Sequence, residues 1–139
     1  MVPEGLEKKP LKQIAAFVAS NGYNCVRLTW YMFTRSNFLS LTVRKSLDHW
    51  GLVQARKCMA KNNPWVMGLT PFEAQKAVVN ELGAHKIMVV LDNHVSLPKW
   101  CCSGKDGNGF FGDEYFDPNE WLQGLSTVAK LYKGVDTVS

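Results

Sequence analysis

The sequence predicts an α/β fold with a parallel sheet, and three observations carry that reading. The first is the stretch Lys86-Ile-Met-Val-Val-Leu-Asp-Asn-His94. Its apolar run, Ile87 to Leu91, is too short for a lone helix, is rich in β-branched residues and follows a break at Gly83, so it reads as a strand covered on both faces. The second is that strand-like and helix-like patterns alternate along the chain, which implies crossovers between parallel strands. The third is a repeated helix-start signature, Thr70-Pro71-Phe72-Glu73 and Asp117-Pro118-Asn119-Glu120. In each, a short polar side chain can cap, proline suits the first turn and Glu stands at the third helical position.

Taken in order, residues 7–20 read as an amphipathic helix with Leu11, Ile14, Ala15, Phe17 and Val18 on one side, stopped at Gly22 in a left-handed cap. Tyr23 to Trp30 follows as a strand with Cys25, Val26 and Leu28 in its interior. Arg27 interrupts it, and a charge inside a buried strand is costly unless paired. Leu41 to Leu52 looks helical, with Gly51 ending that helix or opening a loop. Asn62-Asn63-Pro64-Trp65 reads as a loop. The helix after Thr70 buries Phe72, Ala77, Val78 and Leu82 and ends at Gly83. Residues 31–69 make a long connection between strand and helix, of the kind that often carries function, and residues 95–117 form a long loop rich in Gly, Asp and aromatics. The last helix runs to Tyr132, with Trp121, Leu122, Leu125 and Val128 among its apolar residues. Gly134 terminates it, and Val135 to Ser139 begins another strand.

Size and composition narrow the classes. With 139 residues, 46% hydrophobic and 20% charged, the chain is globular and can bury one modest core. A closed barrel of eight βα units takes about 250 residues, so this chain would supply about half of one. No apolar run approaches the roughly 18 residues of a membrane helix, so no membrane partner is expected. No signal-peptide h-region follows Met1. The net charge of +4 is uneven: residues 1–63 carry ten Lys/Arg against three Asp/Glu, and residues 64–139 carry six against nine. The basic residues are spread through helical segments, which fits solvated helix faces better than nucleic-acid binding.

Cys25 reads as a small buried hydrophobe, while the adjacent Cys101 and Cys102 lie in a loop from which one could reach Cys58. The absence of a Cys-x-x-Cys pair argues against zinc. Asp106, Asp113, Glu114 and Asp117 lack the calcium-loop spacing and read as turn and cap residues. No metal and no cofactor are expected. Gly104-Lys-Asp-Gly-Asn-Gly109 does not directly follow a strand and open a helix, so it is a poor dinucleotide loop.

At the two strand ends the sequence resembles glycoside hydrolase family 5, the cellulase-like retaining glycosidases. Asn24-Cys-Val-Arg-Leu-Thr-Trp30 and Val89-Val-Leu-Asp-Asn-His94 resemble that family's second and third barrel strands. The loop from Val95 through Trp100 and Asp113, with Tyr115-Phe-Asp-Pro118 after it, is similar to the plant branch. The resemblance implies a partial (β/α)8 barrel holding the second and third βα units and the start of a fourth strand, cut at both ends. It implies that Arg27 orients a nucleophile carboxylate and that His94 lines the sugar site. Asn93, Trp30 and Trp100 are looser candidates for sugar contact, because aromatic faces suit sugar CH faces.

Retaining hydrolysis needs two carboxyl groups flanking the bond. The resemblance places them on the fourth and seventh strands, so no catalytic residue is expected in this chain and it should be inert alone. Asn119-Glu120 imitates the family's Asn-Glu pair, but helix capping accounts for it better. The implied activity is hydrolysis of O-glycosyl bonds in β-glucan or mannan-type polysaccharide, with a poly- or oligosaccharide partner and an extracellular setting for the complete protein. The alternative is a non-catalytic carbohydrate-binding or interaction module. A third class, an unrelated soluble α/β domain, has no specific motif behind it.

Structural roles also fit these residues. Arg27 could form a buried structural salt bridge, and His94 could be a satisfied core histidine. Asp92 reads as a structural hydrogen-bonding group. His49 and His85 read as surface residues, and Trp50, Trp65 and Trp121 as packing. Unpaired strand edges would favour self-association.

Overall fold

The computed structural model describes residues 4–31, 40–97 and 103–139. The elements along these residues are α1 (Leu11–Ser20), β1 (Cys25–Tyr31), α2 (Val43–His49), α3 (Val53–Asn62), a 3-10 turn (Pro64–Gly68), α4 (Pro71–Ala84), β2 (Met88–Val95) and α5 (Pro118–Leu131). The alternation expected from the sequence is present, and β1 and β2 pair in parallel. Cys25 stands opposite Met88 and Trp30 opposite Asn93; the register then slips, so that Tyr31 meets Val95.

A third segment joins the other edge of β2. The Val89 N–H donates to the Thr137 carbonyl at 2.7 Å, and the Val89 carbonyl accepts from Ser139 at 3.0 Å. Val138 thus bridges Val89 in the parallel sense, where the sequence predicts a new strand beginning.

Side chains alternate across a sheet, and paired residues share a face. Leu28, Trp30 and Val89 lie on the covered face and join the core with Leu11 and Ala15 of α1, Val78, Val79 and Leu82 of α4, and Val128 of α5. Cys25, Arg27, Met88 and Val90 lie on the other face and are exposed. Two expectations are corrected here. β2 is not covered on both faces, and Cys25 is not a buried hydrophobe. Both follow from helices packing against one side of the strand pair. Phe17 and Leu122, assigned to the apolar stripes of α1 and α5, are exposed for a related reason: their helices bury narrower stripes, centred on Leu11 and Ala15 and on Gly124 and Val128.

The helix starts form as the sequence dictates. The Thr70 hydroxyl accepts from the Glu73 N–H, and the Glu73 carboxylate accepts from the Thr70 N–H at 2.8 Å, a reciprocal capping box. The Thr70 backbone N–H, followed by its hydroxyl, holds the Glu73 carboxyl below its ordinary pKa. Asp117 accepts from the backbone N–H groups of Asn119 and Glu120, so the Asn119-Glu120 pair sits in a capped first turn.

Helix ends differ more from expectation. α4 continues past Gly83 to Ala84, and the left-handed residue is Lys86, at φ 59°. Gly83 is needed for another reason: a Cβ there would collide with the Thr137 side chain. The helix expected over residues 41–52 ends at His49, and a second helix, α3, follows it after Gly51 at φ +67°. α3 buries only Met59, so its apolar stripe is faint in the sequence. Within the expected loop at 62–65, Pro64 opens the 3-10 turn and Asn63 is 1% exposed. The Asn63 side chain accepts from the Leu11 N–H at 2.9 Å and donates to the carbonyls of Leu6 at 2.7 Å and Lys9 at 2.9 Å. One amide thereby satisfies three backbone groups and ties the start of α1 to the end of α3.

Candidate functional site

The open face of the strand pair carries a polar constellation. Arg27 is the third residue of β1, opposite Val90, and Asp92 lies two residues further along β2 on the same face. The Arg27 Nε is 3.7 Å from the Asp92 Oδ2, and the same oxygen is 2.8 Å from the His94 Nδ1. An ionised carboxylate only accepts, so Nδ1 must carry the proton in this contact. Asp92 therefore fixes the tautomer of His94 and joins Arg27 and His94 into one unit. Arg27 stands within the strand rather than at its end. Its side chain is 66% exposed, so the burial cost raised by its position does not arise. An ion pair this exposed contributes little to stability, which weakens a purely structural account of it.

Beside His94 lies an open pocket of about 210 Å³. Asn93, His94, Ser96 and Asn108 give it polar lining; Phe110, Phe111, Phe116 and Trp121 give it aromatic lining. The loop that brings these together is built from local hydrogen bonds. Asn108 is fully buried; its Oδ1 accepts from the Leu97 N–H at 2.7 Å and its Nδ2 donates to the Leu97 carbonyl at 3.1 Å. The Asp106 carboxylate accepts from Ser103 and Asn108, and that of Asp113 from Gly109 and Phe110. These are the turn roles expected of both residues. Gly107, at φ +62°, admits no side chain, because a Cβ would lie 2.8 Å from the Glu114 Cβ.

The aromatic rings pack on one another. Phe111 and Phe116 have centroids 4.4 Å apart, and both lie within 6.0 Å of Trp121. Phe111 is nonetheless 77% exposed.

Of the candidates named from sequence, Arg27 and His94 come together through Asp92, and Asn93 and His94 both line the pocket. The Asn93 Nδ2 is buried and has no hydrogen-bond partner among the described residues. Trp30 is corrected: it is 4% exposed on the covered face and packs in the core. Trp100, Cys101 and Cys102 lie outside the described residues. Trp50 and Trp65, expected to pack, are exposed. His49 is exposed, and His85 is half-buried beside Glu81 at 3.5 Å. Cys25 and Cys58 are free thiols. Among the described residues, no cluster of His, Cys, Asp and Glu could hold a metal ion, and no helix is long and apolar enough to cross a membrane.

Sequence reasoning missed Asn108 as the loop's anchor and Phe110, Phe111, Phe116 and Trp121 as pocket residues. The density of aromatics from Phe110 to Trp121 was the available signal for the latter group.

Parallel strands with helices on one face define an α/β protein, and in such folds ligand sites lie beyond the carboxyl ends of the strands, where His94 of β2 stands. Known proteins narrow this class. The chain is 42% identical over 139 residues to a glycosyl hydrolase 5 family protein from Chamaecyparis obtusa. That match covers 99% of this chain and 25% of the relative, so the chain spans about a quarter of the length of the curated relative it matches. An endocellulase from Pyrococcus horikoshii, solved in complex with cellotetraose, matches at a TM-score of 0.65 and 18% identity, over 97% of this chain and 30% of that one. No family model matches the chain. The similarity to a glycosyl hydrolase 5 family protein therefore runs through nearly the whole sequence, and the fold is similar to that of a segment of the endocellulase.

Proposed function

We propose that the chain forms one wall of the sugar cleft of a retaining glycoside hydrolase that cleaves O-glycosyl bonds in β-glucan or mannan-type polysaccharide outside the cell. The architecture proposed is a partial (β/α)8 barrel, in which β1 and β2 are neighbouring barrel strands and Val138 opens the next. The Arg27–Asp92–His94 unit on the open face carries this reading. It is poorly explained by stability, its His94 stands near the carboxyl end of β2, and it presents an oriented imidazole and a guanidinium to the same space. The two carboxyl groups that retaining chemistry requires would come from segments beyond this chain, so the chain alone turns over no glucan or aryl glycoside.

The test is a chimera in which this chain replaces the matching segment of the Chamaecyparis obtusa relative. The chimera is expected to hydrolyse a β-glucan or a mannan while the isolated chain does not. Asp92→Asn, which removes the charge joining Arg27 to His94, should lower hydrolysis by the chimera about 100-fold, the scale of a misplaced catalytic environment. Turnover by the isolated chain, or an Asp92→Asn chimera as active as its parent, would contradict the proposal. Sugar binding by a folded but inert chimera would favour the non-catalytic alternative.

A further inference from the structure

The aromatic cluster has a feature that core packing does not explain. Phe116 and Trp121 are half-buried and satisfy each other, yet Phe111 lies against both and leaves 77% of its surface in solvent. Phe110 beside it is 59% exposed. Adjacent exposed phenylalanines are an unfavourable way to finish a loop unless something covers them. The loop is not slack at this point, because Asp113 accepts from the N–H groups of both Gly109 and Phe110 and Asn108 is locked onto Leu97. The rings are held out on a fixed support.

The pocket they border is mixed in character. Its aromatic lining meets the amide of Asn93, the imidazole of His94 and the hydroxyl of Ser96. A purely apolar ligand would leave those polar groups unmatched, and a purely polar one would gain nothing from the rings. A pyranose satisfies both demands, since its CH face lies on an aromatic ring while its equatorial hydroxyls reach outward to hydrogen-bonding groups. The pocket also shares His94 with the Arg27–Asp92–His94 unit, so a sugar seated there continues along the same cleft.

We propose that Phe111, backed by Phe116 and Trp121, is a stacking platform for a second sugar ring of a β-linked gluco- or manno-oligosaccharide, one step along the cleft from the ring at His94. This rests on the sugar-cleft reading above and adds a binding element to it. The platform's contribution is affinity for a chain of several sugars, separate from the orientation that Arg27 and Asp92 give to His94.

Calorimetric titration of the intact 139-residue chain with cellotetraose and with mannotetraose tests it. Saturable binding of one of them in the millimolar range or tighter is expected. Phe111→Ala should weaken it about tenfold, the size of a well-formed ring contact. Phe111→Tyr, which keeps the aromatic face, should restore most of it, and Phe17→Ala, which removes an exposed ring on α1 away from the pocket, should leave it within about twofold. Phe111 is so exposed that its truncation should leave the circular dichroism and the urea midpoint unchanged, which separates lost stacking from lost folding. The proposal is overturned if the parent chain shows no saturable binding, or if Phe111→Ala binds as the parent does. Its failure is distinct from failure of the hydrolase reading: an active chimera with no binding to the isolated chain sinks the platform alone. Phe111-dependent binding with an inert chimera sinks the hydrolase reading alone.

Discussion

The two faces of the β1–β2 pair are built from alternating residues of the same strands, yet they do different work. Leu28, Trp30 and Val89 enter a core with α1, α4 and α5, while one residue away in each strand Arg27, Met88 and Val90 stand in solvent. The covered face is where burial stabilises this chain. Among the described residues, the open face holds the contacts that suggest chemistry, Arg27 to Asp92 and Asp92 to His94. The separation teaches that fold and site are loosely coupled here, so substitutions on the two faces should be separable by their effects on stability.

The largest effect is expected on the covered face. Leu28→Ala removes a buried side chain at the centre of the core and should cost about 2–5 kcal/mol. Urea unfolding followed by tryptophan fluorescence measures it, and a cost below about 1 kcal/mol would mean that the sheet is not anchored through this face. The next largest effect is expected at Asn63, outside both faces. Asn63→Ala leaves the Leu11 N–H and the carbonyls of Leu6 and Lys9 without their buried partner. A cost of at least about 2 kcal/mol follows from unsatisfied buried groups, and hydrogen exchange at the Leu11 amide should accelerate more than exchange in β2.

These two sites also show what was legible in the sequence. Leu28 could be assigned to a strand interior from its neighbours, because burial leaves a periodic signature. Asn63 could not, because nothing in Asn62-Asn63-Pro64 distinguishes a solvated loop from an amide that ties distant backbone together. The same contrast holds in the site. Strand position and resemblance single out Arg27 and His94, although Arg27 stands inside β1 and not at its end. Asp92 was read as a structural hydrogen-bonding group, and its place between them depends on a strand register that the sequence does not state. The helix caps at Thr70 and Asp117 were readable because they are local; the role of Gly83 was not, because Thr137 approaches it from more than fifty residues away in sequence.

A smaller effect is expected where the covered core meets a polar pair. The Tyr132 hydroxyl donates to the Gln75 Oε1 at 3.1 Å, and burial pushes the Tyr132 pKa up to about 12. Tyr132→Phe should cost about 1 kcal/mol by removing that hydrogen bond. The pH dependence has a definite sign. Unfolded tyrosine ionises near pH 10, below the folded value, so between pH 10 and about 12 the unfolded state binds fewer protons and stability falls as pH rises. The alkaline loss should shrink in Tyr132→Phe; an identical alkaline profile in the two proteins would show that another group is responsible.

In the isolated chain the smallest effect should come from the open face. Val90 stands opposite Arg27 and is 42% exposed, so Val90→Thr exchanges a methyl for a hydroxyl at a site that water already reaches. In the isolated chain its cost should stay within about 0.5 kcal/mol. If β1 and β2 are neighbouring barrel strands, the same position faces an interior filled by side chains from other strands in the longer protein. There the new hydroxyl would be buried without an assured partner, and Val90→Thr in the Chamaecyparis obtusa chimera should cost about 1–3 kcal/mol. Parallel urea titrations of chain and chimera measure the difference. A small cost in both would mean that the open face stays wet in the longer protein, and the barrel reading of this strand pair would fall while the covered core stood unchanged.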